Sequence, residues 1–190
     1  MSFCLNSENI QNNPEEKKCF TDDDYKQEEF LNDLRLSYAQ KKIAEFLLTH
    51  KGYCPQDIES NIEFSIFLED KNFKVHVDFI IKIGDKRLIF VKCAPNSLAS
   101  WERYSTAFCR AADAYQIPYA FITDGDAATL LSILEGSAKE GSIEIMPSKN
   151  EAESISRNIA LLPYPEDRKE KEKRIIYAFE GIKNTTETSP

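Results

Sequence analysis

No two of the five cysteines (Cys4, Cys19, Cys54, Cys93, Cys109) form a CxxC pair, and their number is odd. Thiols scattered in this way exclude a disulfide framework and a thiolate zinc site, and they fit a reducing compartment. No run approaches the roughly 18 consecutive apolar residues that a membrane helix requires. The first residues are polar, unlike a signal peptide, so a cytoplasmic protein with no membrane partner is expected. Histidine is scarce as well. His50 and His76 each stand alone, and an isolated histidine is more often structural than a ligand. There is no GxSxG nucleophile motif, and Gly136-x4-Gly141 runs into Ser142-Ile143 where a phosphate loop requires Lys-Ser/Thr. No ATP site is expected. A basic excess is also missing: the net charge is −8, with −5 in residues 1–32, −2 in 33–150 and −1 in 151–190. A near-neutral centre without a basic stripe argues against avid, nonspecific binding to duplex DNA.

What is present is enough for one packed domain. Of the 190 residues 42% are apolar, which suits a single core and is too little chain for two. Residues 1–30 are polar and acidic and read as a flexible segment, with Asp22-Asp23-Asp24 as a solvated face. Residues 31–162 carry the domain, and 163–190 a C-terminal helix with a frayed tail. Helical spacing from Leu31 through Leu36, Ala39, Ile43, Phe46 and Leu47 ends at Gly52. Alternation then predicts a strand with Ile62, Phe64, Ile66 and Leu68 on one face. After a turn at 69–72, a second strand has Phe73, Val75, Val77, Phe79, Ile81 and Ile83 on one face, and Lys74, His76, Asp78, Ile80 and Lys82 on the other. Gly84-Asp85 turns into the apolar run Leu88–Val91 of a central strand. A helix capped by Ser97 or Ser100 follows, striped by Trp101, Tyr104, Phe108, Ala111 and Tyr115 and stopped by Pro118. Tyr119–Thr123 is a short buried strand. Thr129–Leu134 fits a strand or a helical turn, and Gly136 and Gly141 bracket a loop. Ser148 and Glu151 form a capping box before Ala152, Ile155, Ile159 and Leu162. Pro163-Tyr164-Pro165 ends that helix, and the apolar residues around Ile175–Phe179 dock a last one. The order predicts an α/β fold, a mixed β-sheet flanked by helices.

Two charges fall where burial is expected. Asp78 lies in the middle of an apolar strand and Lys92 near the end of the next, and a buried charge needs compensation. With Lys51-Gly52-Tyr53, Val77-Asp78-Phe79-Ile80, Lys92-Cys93-Ala94-Pro95 and the run from Ile117 to Gly125, this arrangement resembles the N-terminal domain of type I restriction enzyme R subunits, of the PD-(D/E)xK superfamily. The resemblance spans about Leu34 to Pro147.

That resemblance implies a restriction endonuclease-like αβββαβ core. It also implies a site in which an aspartate, and an acid two residues before a lysine, bind Mg²⁺ through hard oxygen ligands. Asp78 matches the aspartate and Lys92 the lysine, which leaves Phe90 at the acid position. A second register, aligned on Ala94-Pro95, places Val91 at the acid and Cys93 at the lysine. Neither register retains the acid. The expectation is therefore a catalytically degenerate domain kept as a nucleic-acid or protein binding module, with no cofactor and with Asp78 paired to Lys92 or His76. DNA, bound weakly, and a protein are the partners considered. The alternative is a Mg²⁺-dependent DNA endonuclease in which a migrated Glu63 or Glu45 joins Asp78 as metal ligand.

Overall fold

The computed structural model describes residues 37–94 and 98–186, the last six as backbone only. The readings of residues 1–36, of Pro95 to Ser97 and of the last four residues lie outside the described residues. Helix α1 (Tyr38–Thr49) starts at a capping box in which Ser37 and Gln40 satisfy each other's backbone N–H. It buries Ile43, Phe46, Leu47 and Leu48. Gly52, at φ +75, then adopts the left-handed conformation that glycine reaches at little cost.

Strands β1 (Ile58–Leu68), β2 (Lys71–Ile83) and β3 (Lys86–Cys93) form an antiparallel meander. Helix α2 (Leu98–Ala111) leads to β4 (Tyr119–Thr123), which runs parallel to β3. Strands β5 (Ala127–Ser132) and β6 (Ser137–Ser142) complete a mixed six-stranded sheet in the order β1-β2-β3-β4-β5-β6. Helices α3 (Lys149–Asn158) and α4 (Glu166–Thr186) follow. One face of the sheet packs its core against α1 and α3, and the other against α2 and α4. The fold is an α/β mixed sheet covered on both faces. No helix among the described residues is long and apolar enough to cross a membrane.

The sequence reading needs correction at four places. In β2, Val75 and Val77 join Ile80 in one core, whereas Phe79 and Ile81 enter the opposite one. The inside–outside alternation therefore reverses at Asp78. The cause is visible in the ladder: Ser60 pairs with Phe79 and Ile62 with Val77, so Asn61 and Asp78 are skipped. Asn61, at φ +49, takes a left-handed turn that asparagine tolerates.

The expected loop between Gly136 and Gly141 is instead strand β6, all six residues of which are exposed. Its composition gave no apolar signal because backbone pairing to β5, not side-chain burial, holds it. Helix α2 ends at Ala111, well before Pro118. Tyr115 leaves the stripe, and its hydroxyl oxygen accepts the Arg87 N–H at 2.7 Å. Helix α3 stops at Asn158, which makes Ile159 its C-cap and leaves Leu162 exposed. The predicted Ser148–Glu151 capping box is present, and the Ser148 N–H holds the Glu151 carboxyl below its ordinary range.

Helix α4 packs on α2 and the sheet through Ile175, Ile176 and Phe179, and Ile176 is fully buried. Replacing it by alanine should lower the unfolding free energy by about 3 kcal/mol in urea denaturation. A change below about 0.5 kcal/mol, the range of surface substitutions, would show that α4 is not part of the cooperative unit.

Candidate functional site

The skipped position in β2 aims the Asp78 carboxylate at the start of α1 and the end of β3. Pairing of Ile80 with Phe90 and of Phe79 with Val91 carries on to set Asp78 opposite Lys92. The Lys92 ammonium donates to Asp78 Oδ2 at 2.7 Å, and the Cys93 backbone N–H donates to the same oxygen at 2.9 Å. Asp78 Oδ1 accepts from the Gln40 side-chain amide at 2.7 Å. Gln40 is also the capping residue of α1, its Oε1 accepting the Ser37 N–H at 2.8 Å. One glutamine thus ties the start of α1 to the middle of the sheet.

Asp78 and Lys92 are 13% and 12% exposed at their side chains, so the pair is largely removed from water. A pair this buried requires good geometry and extra hydrogen bonds to offset desolvation, and Asp78 has two such bonds. The Lys92 ammonium also lies over the Trp101 ring, 5.3 Å from its centroid, in cation–π contact. Cys93, beside the pair, is buried. Burial pushes its thiol up, and the Asp78 carboxylate adds to that effect.

The other candidate residues are placed elsewhere. Glu63 sits across from His76 on the outer part of β1. Its carboxylate binds Lys74 at 2.6 Å and lies 3.6 Å from His76. The Lys74 hydrogen bond holds it below the ordinary carboxylate range. Glu45 is exposed on α1. Phe90 is 1% exposed and stacks on Phe108 with ring centroids 4.6 Å apart, and Val91 is buried in the opposite core. Both acid positions are therefore filled by core side chains. Among the described residues, no group of three His, Cys, Asp or Glu side chains is arranged to hold a metal ion. The residues around Asp78 do not fit Mg²⁺, which favours several oxygen ligands in near-octahedral geometry. Chemically, the arrangement is a satisfied carboxylate.

The sequence reading named Asp78 and Lys92 but missed Gln40. Its signal was legible: Ser37-x-x-Gln40 immediately before an apolar helical run is a capping box.

A helix, a three-stranded meander, a helix and a parallel strand, with a carboxylate and a lysine facing each other on the second and third strands, define a class of α/β domains. Within it, residues 37–147 match the family described as type I restriction enzyme R protein N terminus. That is more than half of the chain, and the chain belongs to this family. Among curated proteins and among solved structures, nothing matches.

The pair should be strongly coupled. Asp78→Ala strands a buried ammonium and should cost about 3 kcal/mol of stability. Adding Lys92→Met should restore more than half of that loss in the same urea titrations. Additive losses in the double variant would contradict the pairing.

Proposed function

We propose that this chain is a type I restriction R-protein N-terminal domain that has lost hydrolytic chemistry and acts as a binding module, with nucleic acid as its ligand. One observation carries the reading: every oxygen of Asp78 is engaged by protein donors, and the position two residues before Lys92 is a stacked, buried phenylalanine. Phosphodiester hydrolysis in this superfamily depends on a metal to stabilise charge and to acidify a water. A metal at Asp78 would have to displace an ammonium and would gain no second carboxylate. The near-neutral central segment fits weak, salt-sensitive binding better than tight duplex binding.

The alternative, an active endonuclease with a migrated glutamate, has less support. Glu63 is bound to Lys74 and His76, and Glu45 is exposed on its helix.

Two assays test the reading. Incubation with single- and double-stranded DNA in Mg²⁺ or Mn²⁺ should give no cleavage, while DNA affinity should be measurable at low salt and fall steeply as salt rises. Cleavage that disappears in Asp78→Ala would overturn the loss of catalysis. Absence of DNA binding at low salt would turn the module toward a protein ligand.

A further inference from the structure

Among the described residues, β1 and β6 are the two edges of the sheet. An edge strand presents unpaired N–H and C=O groups, and monomeric proteins blunt it with charge, proline or shortness. Strand β6 is blunted: it has six residues, with Lys139 and Glu140 at its centre. Strand β1 is not. It runs for 11 residues, and its outer part, Ile62-Glu63-Phe64-Ser65-Ile66-Phe67-Leu68, holds a single charge and no proline. Phe67 on that edge is 65% exposed. A groove of about 200 Å³, lined by Ser65, Ile66 and Phe67 and by Lys169 and Lys173, keeps α4 off the strand there.

The hairpin register determines which backbone groups point outward. Leu68 pairs with Lys71 across the turn Glu69-Asp70, and a tight turn closes on a hydrogen-bonded pair. Hydrogen-bonded and non-hydrogen-bonded pairs alternate along an antiparallel ladder. Phe67, Ser65 and Glu63 therefore turn their N–H and C=O away from β2, and their side chains are exposed as well. Asn61, at φ +49, ends this regular edge.

A second copy of the same edge fits these groups. In an antiparallel pair, opposed side chains share a sheet face, so a two-fold axis must pass between two copies of one residue. About Ser65, Glu63 meets Phe67 of the second copy, and every outward N–H and C=O of the three residues finds a partner. Ile62 then lies beside Leu68 and Phe64 beside Ile66, apolar against apolar, and no like charges are opposed. About Ile66, Glu63 would face Glu69. About Phe64, Phe67 would face Asn61, where the ladder is broken. Of these registers, the one about Ser65 uses the whole edge.

We propose that this chain forms a symmetric dimer in which β1 pairs antiparallel with β1 of a second copy about Ser65, joining the two sheets into one. Sedimentation equilibrium of the full chain should show a reversible dimer at about 100 µM. Ser65→Pro removes an N–H beside the axis from each copy, and the ladder to β2 does not use that N–H. The dimer should weaken at least about tenfold, with the circular dichroism spectrum unchanged. Should Ser65→Pro fail to fold, Phe67→Glu and Phe67→Lys carry the test, because that side chain lies largely in water. The first sets a carboxylate against Glu63 of the second copy and the second sets an ammonium there, so Phe67→Glu should dimerise at least about tenfold more weakly than Phe67→Lys. A full chain still monomeric at about 1 mM would leave the edge to a strand of another kind and overturn the dimer. So would a dimer indifferent to Ser65→Pro in a folded variant, or equal dimerisation of the two Phe67 variants.

Discussion

A carboxylate in the middle of a sheet must be neutralised where it stands, and the way Asp78 is neutralised organises the centre of this domain. The ammonium comes from β3, a backbone N–H from the next residue of the same strand, and an amide from the first turn of α1. Those contacts join three elements that are distant in sequence. They also depend on the skipped pair at Asn61 and Asp78, since the turnover of β2 sends Val77 and Phe79 into opposite cores. Substituting Asp78 would thus disturb strand geometry, helix attachment and charge balance together.

The same contacts hold the centre of the family fold with protein atoms. In a metal-binding arrangement, an acid two residues before Lys92 would share the site with Asp78. Phe90 contributes instead to the core under α2, where its stacking with Phe108 adds about 1 kcal/mol beyond area burial. Lys92 is held by Asp78 and by the face of Trp101.

Much of the fold was legible because most elements combine period with punctuation. Ile62 to Ile66 alternates cleanly, Leu88–Val91 is an unbroken apolar run, and Ser148 with Glu151 announces α3. Strand β6 was not legible, since Ser137–Ser142 buries nothing and is held by hydrogen bonds that leave no mark in composition. The reversal at Asp78 was hidden for a different reason. Alternation presumes a regular ladder, and a single asparagine in a left-handed conformation breaks it. Asp78 and Lys92 could be named from their misfit in apolar strands, whereas Gln40 acts through a helix start whose neighbour in space cannot be read from one dimension.

The central claim is that Asp78 is committed to protein donors and does not hold a divalent metal. Titration of Mn²⁺ into isotope-labelled protein, followed by paramagnetic broadening of backbone amides, tests this without reference to any substrate. The account predicts that Phe79 and Cys93, the amides flanking the carboxylate, keep their intensity while only exposed acidic surfaces broaden at high metal. Selective loss of those two signals at low Mn²⁺, abolished by Asp78→Asn, would contradict it.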